Sequence, residues 1–158
     1  MIISFFLNGQ PVESDTPPHR KAVDFLREDF QMKSLHIGCS DALCGSCLIM
    51  VDDQPILSCM LPAFELRFRD IWTMEGLSTL KGFADITAGF KGANAVLCTL
   101  CAPARALAVE SLLRRTLRPT SDQAREAAES VKCECCSIRR VLDGILRASR
   151  IRERRLHG

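Results

Sequence analysis

Residues 38–59 read GCSDALCGSCLIMVDDQPILSC, and four of these positions are cysteine: Cys39, Cys44, Cys47 and Cys59. The first three fall in one x4, x2 loop. The fourth follows Leu48-Ile49-Met50-Val51, Asp52-Asp53-Gln54-Pro55 and Ile56-Leu57, which read as two strands about a turn. Further along, Cys98, Cys101, Cys133 and Cys135 form a second group spaced x2, x31 and x, and Cys136 is left over. Nine cysteines is an odd number, and 158 residues can build a core without staples. The start, MIISFFLNGQ, is apolar but lacks the basic segment and small-residue cleavage site of a signal peptide. A disulfide framework is therefore a poor reading, and clustered thiols inside a cell point to metal ligation. At 47% hydrophobic the chain is not disordered, and its net charge of +2 makes no case for nucleic acid. No apolar run approaches the roughly 20 residues that span a bilayer, so no membrane partner is expected.

Cys-x4-Cys-x2-Cys with a distant fourth cysteine is the plant-type ferredoxin spacing, which wraps a [2Fe–2S] cluster. Three thiolates must converge from one loop while backbone N–H groups spread the charge on sulfur. Gly45, between the second and third cysteines, admits close backbone approach because it has no Cβ. Structural zinc prefers two CxxC-like pairs to an x4 loop, so iron–sulfur is the better reading of this group. The second group, two pairs of thiols, suits zinc and iron–sulfur equally on spacing alone.

The cysteine loop sits in a segment of mixed character. Ile3, Phe5 and Leu7 alternate with Ile2, Ser4 and Phe6, Asn8-Gly9 signals a tight turn, and Val12 resumes beyond it. His19 to Phe30 carries Val23, Leu26 and Phe30 at helical spacing, and Leu66 to Trp72 reads as a strand. A few strands crossed by one helix is the β-grasp ferredoxin layout, and it defines a domain over residues 1–77. From residue 78 onward the composition turns to helix formers. Leu80–Phe90, Ala102–Leu117, Ser121–Val131 and Ser137–Arg152 each suit a helix, with Pro103 in a first turn and Pro119-Thr120-Ser121-Asp122 as breaker and cap. The expected fold class is thus α+β, a β-grasp domain followed by a four-helix domain over 78–158. Charge changes with it: residues 1–79 hold 6 basic and 11 acidic side chains, and residues 80–158 hold 15 and 8.

Gly38-Cys39, Cys44-Gly45-Ser46-Cys47, Ser58-Cys59 and Thr73-Met74-Glu75-Gly76-Leu77, then Cys98-x2-Cys101, Pro119-Thr120 and Cys133-Glu134-Cys135, resemble the two-cluster iron–sulfur subunit of the molybdenum hydroxylases. That family includes xanthine dehydrogenase, aldehyde oxidoreductase, carbon monoxide dehydrogenase, nicotinate dehydrogenase and 4-hydroxybenzoyl-CoA reductase. The resemblance spans nearly the whole chain and implies a second [2Fe–2S] cluster on Cys98, Cys101, Cys133 and Cys135. It further implies a large partner subunit that binds molybdopterin and substrate, and another that binds FAD. This chain would carry electrons between them in the cytoplasm, the helical-domain cluster nearer molybdenum and the other nearer flavin. No general acid, base or nucleophile is expected on it.

Five positions depart from the family pattern. Leu97 stands where the family has a Gln that contacts the pterin, so a pterin contact there would be apolar. Ala102-Pro103-Ala104 replaces Thr-Pro-Gly, Ala42 replaces a loop Gly, so a backbone turn there is expected to differ, and Cys136 replaces a Thr. Cys136 reads as a small buried thiol, since adjacent cysteines diverge and do not both reach one iron. His19, His36 and His157 are too scattered to form the histidine pair of a Rieske centre. Arg139, Arg140, Arg147, Arg150, Arg152, Arg154 and Arg155 read as a solvated helix face and frayed tail rather than a docking surface. Trp72 reads as core or interface. A stand-alone electron carrier or redox-responsive regulator, to which Leu97 points, and a zinc-stapled interaction module are the competing functions.

Overall fold

Ile3, Phe5 and Leu7 are buried while Ile2 and Phe6 are exposed, the period-two burial of a half-covered strand. This strand is β1 (Ile2–Leu7), and it pairs antiparallel with β2 (Gln10–Asp15). Asn8 and Gly9 both take positive φ in the two-residue connection, as a twist-matched hairpin turn requires. The second hairpin, β3 (Leu48–Val51) and β4 (Gln54–Leu57), uses the same device with Asp52 and Asp53. β5 (Asp70–Trp72) lies between the hairpins, parallel to β1 and antiparallel to β3, so the sheet order is β2-β1-β5-β3-β4. The computed structural model describes residues 1–39 and 41–158.

One face of the sheet is covered by α1 (Ala22–Glu28), whose Ala22, Val23, Phe25 and Leu26 are buried with Ile3, Phe5, Ile49 and Ile71. α1 is shorter than the periodicity of 19–30 predicts. Lys21 is extended and bridges Pro62, so the helix cannot start before Ala22. The predicted strand over 66–72 is likewise shorter: a 3₁₀ turn occupies Ala63–Leu66, and Phe68 takes φ +62, which leaves only Asp70–Trp72 in the sheet.

After a single turn, α2 (Met74–Leu77), four helices follow: α3 (Lys81–Gly92), α4 (Ala102–Arg115), α5 (Ser121–Glu129) and α6 (Ile138–His157). Thr120 and Gln123 form a reciprocal capping box on α5. The four pack around Leu107, Val109, Leu112, Val141 and Ile145. α3 and α6 approach closely because Gly89 faces Ala148: a Cβ there would sit 2.5 Å from the Ala148 backbone nitrogen. The architecture is α+β. The helical core also takes in Leu48 and Met50 from β3, so α4 closes the sheet face opposite α1.

α6 runs five residues past Arg152, and the expected frayed tail is absent. Arg152 is 5% exposed and reaches Asp85 on α3 at 3.1 Å and Glu110 on α4 at 2.7 Å. Arg155 adds a second cation on Asp85 at 2.7 Å. Two members of the arginine run thus act as interhelical clamps, a role set by tertiary pairing that charge patterning along one helix does not reveal. Among the described residues no helix is long and apolar enough to cross a membrane.

Candidate metal centre

Cys98 lies in the loop joining α3 to α4, Cys101 closes that loop at the N-terminus of α4, and Cys133 and Cys135 lie in the loop joining α5 to α6. The helices bring these segments together, and the four Sγ atoms all lie within 4.8 Å of one another, among the described residues the one such group of metal-ligating side chains. Cys98 and Cys133 sulfurs are 3.6 Å apart, and those of Cys101 and Cys135 are 3.4 Å apart. Two thiolates on one tetrahedral metal with bonds of about 2.3 Å stand about 3.8 Å apart, so each pair has the spacing of a shared metal. The donor set is all sulfur, with no histidine or carboxylate, and so suits thiophilic iron or zinc.

The thiols are electrostatically divided. The Cys101 backbone N–H draws Cys98 down to about 6. Burial pushes Cys101 up to about 12, with Cys135 and Cys98 adding to the rise and the guanidinium of Arg105 opposing it. At Cys133 the Cys135 amide and the Cys101 thiol pull downward, but the Cys135 and Cys98 thiols and burial outweigh them and the net direction is up. Thiols this close compete for ionisation, and all four ionise together only around a cationic centre. The Cys98 amide also points at the Cys135 sulfur at 3.4 Å, the kind of donor that spreads sulfur charge.

The first group is arranged differently. Cys39 and Cys44 are half-buried, and Cys47 and Cys59 are buried. The Cys44 amide contacts the Cys39 sulfur at 3.3 Å, and the Ser46 amide contacts the Cys44 sulfur at 3.4 Å. Burial works to raise Cys44, but the Ser46 amide and hydroxyl outweigh it and hold the thiol below its usual value. Burial and the adjacent Cys47 thiol push Cys59 up to about 11. Ser58, to which the sequence assigned no role beyond the Ser58-Cys59 motif, anchors this pair: its hydroxyl and amide both donate to the Cys47 carbonyl, at 2.6 and 3.3 Å.

Gly45 takes φ +78, and a Cβ on it would lie 2.1 Å from the Ser130 carbonyl oxygen at the end of α5. Gly45 thus makes a close backbone contact with the helical half of the chain, which the sequence did not anticipate. Beside it, the Lys132 amide donates to the Cys44 carbonyl at 2.8 Å, so one hydrogen bond joins a residue of the first group to the neighbour of Cys133. Ala42 adopts φ +63, so the backbone keeps the left-handed turn that a glycine would take there; the expected difference is one of strain. Cys136 is half-buried rather than buried, stands outside the four-sulfur set, and packs at the edge of the helical core. Leu97 is half-buried and lines an apolar cavity of about 560 Å³ with Met74, Phe83, Phe90 and Ala102. Trp72 is an interface residue: Arg114 of α4 lies 4.9 Å over its ring and pairs with Asp53 of the β3–β4 turn at 2.7 Å.

A further set of contacts escaped sequence reading. Asn8 and Thr73 exchange hydrogen bonds, the Thr73 amide donating at 2.8 Å and the Asn8 side chain returning one at 3.0 Å. Glu75 then receives the Ser34 amide and hydroxyl at 2.8 and 2.7 Å, tying α2 to the segment leading into the cysteine loop.

Residues 73–146 match the [2Fe-2S] binding domain family. The nicotinate dehydrogenase small FeS subunit of Eubacterium barkeri is 31% identical over 84% of this chain and 85% of its own length. This chain belongs to the small FeS subunit family of the molybdenum hydroxylases. Within that family, the nicotine 6-hydroxylase small subunit of Paenarthrobacter nicotinovorans is 28% identical over 90% of this chain and 86% of its own length. The crystal structure of quinoline 2-oxidoreductase from Pseudomonas putida 86 contains a chain that superposes with a TM-score of 0.86 at 29% identity. The match covers 98% of this chain and 96% of that one.

Proposed function

We propose that this chain carries electrons through two [2Fe–2S] clusters, one held by Cys98, Cys101, Cys133 and Cys135 and the other by Cys39, Cys44, Cys47 and Cys59. The convergence of four sulfurs from two separated segments, the α3–α4 and α5–α6 loops, carries the reading. Bound there, iron and sulfide would supply one-electron chemistry. The residues of this chain ligate, donate N–H groups to sulfur and exclude water. The Lys132–Cys44 hydrogen bond is the short link between the two ligand sets. We assign the first cluster to a β-grasp domain over residues 1–77, a reading supported by the β2-β1-β5-β3-β4 order, and the second to a helical domain over 78–158.

In this reading a molybdopterin-binding large subunit delivers electrons at the helical cluster, and FAD on a further subunit or another acceptor takes them from the β-grasp cluster, in the cytoplasm. The surface around Cys98 supports docking there: Val96 is 79% and Leu100 59% exposed, and Leu97 lies between them. An apolar contact at Leu97 excludes water from the junction without orienting the pterin by hydrogen bonds. The test is anaerobic purification, iron and sulfide analysis, and EPR of the reduced chain. Two distinct [2Fe–2S] signals and about four irons per chain are expected. Zinc in place of iron would overturn the proposal.

A further inference from the structure

Arg105, in the first turn of α4, is 3% exposed. Its Nη1 donates to the Ala128 carbonyl at 2.8 Å and its Nη2 to the Cys133 carbonyl at 3.4 Å, while Nε is buried with no partner. The other buried arginine, Arg152, rests on two carboxylates, but Arg105 has no ion pair among the described residues. Glu129 and Glu134 line the same open cavity of about 690 Å³ without pairing with it. A buried cation without a counter-charge is strongly unfavourable, so some other anion must balance it. Cys101 lies one helical turn before Arg105, on the same face of α4, and Arg105 grips the backbone of Cys133. The anions within its reach are the thiolates of the second group.

We propose that Arg105 is a positioning residue that sets the reduction potential of the Cys98–Cys101–Cys133–Cys135 centre, its guanidinium acting as a fixed buried counter-charge. This rests on the assignment of a [2Fe–2S] cluster to those four cysteines. Such a centre is negative in both oxidation states and gains one further negative charge on one-electron reduction. A nearby cation therefore favours the reduced form and raises the potential.

The experiment is an anaerobic redox titration of the full chain, monitored by EPR, with wild type, Arg105→Met, Arg105→Gln and Arg105→Lys. In the two neutral variants the oxidised-to-reduced ratio of one signal, at fixed ambient potential, should rise at least tenfold, about 59 mV for a one-electron couple. The other signal should not move, and Arg105→Lys should stay within threefold of wild type. Intact clusters with unmoved potentials in the neutral variants would overturn the proposal, as would a lysine variant shifted as far as the methionine one. Should the neutral variants lose iron, retention by Arg105→Lys supports the counter-charge. Loss in that variant too reduces Arg105 to a structural strap and overturns it. A wild-type chain without the second signal would instead overturn the cluster assignment itself.

Discussion

Replacing Gly45 with Ala places one methyl group at the junction of the cysteine loop with α5. The position has φ +78, and holding an L-residue in the left-handed region costs about 1–2 kcal/mol. The new Cβ would lie 2.1 Å from the Ser130 carbonyl oxygen and 3.0 Å from the Val131 Cα. Both are backbone atoms and cannot rotate aside, so the loop and the helix end must part. Overpacking of this kind costs about 1–3 kcal/mol. The sum is about 2–5 kcal/mol, a large share of the 5–15 kcal/mol that holds a typical domain together. Because the Lys132–Cys44 hydrogen bond lies beside the clash, it should lengthen or break. Thermal unfolding of the apoprotein measures the cost, as a fall in midpoint of about 4–20 °C for a chain of this size. Amide hydrogen exchange at Lys132 reports the bond. Ala42→Gly is the matched control: Ala42 already sits at φ +63, so relief of strain offsets the entropy lost to glycine and stability should hold or rise. If Gly45→Ala costs less than about 0.5 kcal/mol and leaves Lys132 protected, the close-approach reasoning is wrong.

Three further outcomes are expected. Arg152→Met leaves Asp85 and Glu110 buried without their shared cation and should cost about 3–5 kcal/mol in denaturant unfolding. Removal of the more exposed Arg155 should cost less, and equal losses would refute the buried clamp. Glu75 carries a burial penalty that works to raise it, yet the Ser34 amide and hydroxyl outweigh this and hold its carboxyl below the ordinary 4.5. Its folded value lies below its unfolded one, so its stabilisation is full above about pH 4.5 and is lost as pH falls through the folded value. Glu75→Gln should flatten that acid limb, and an unchanged pH profile would rule the linkage out. Cys136→Ser should keep the full iron content, whereas Cys101→Ser should lose the second cluster alone; iron loss from the Cys136 variant would make Cys136 a ligand.

Much of the molecule is legible locally. Asn8-Gly9 and Asp52-Asp53 announce their hairpins because left-handed residues are a property of the turn itself, and the period-two burial of β1 follows from strand geometry. The apolar period, with Thr120 and Pro103, locates the helix cores to within a few residues. It locates the starts of α4 and α5 but misses the other ends by one to five residues, and by three at the start of α1. The start of α1 depends on Lys21 bridging Pro62, and the end of α6 on Arg152 and Arg155 finding acids on α3 and α4. Phe68 breaks the predicted strand with a backbone conformation that no residue preference signals.

For the site, the division lies between spacing and convergence. Cysteine spacing is covalent, so the sequence alone separates two groups, sets Cys136 apart and marks Gly45 as a point of close approach. What Gly45 approaches is a carbonyl 85 residues away, and only packing of the helical half against the cysteine loop decides that. The same holds for Arg105. In sequence it is one of 21 basic residues, and nothing local distinguishes it. Burial against Cys133 without a carboxylate partner follows from how α4, α5 and the second cysteine loop close together. Desolvation of a charge is a property of everything around it, and that is settled only once the chain has folded.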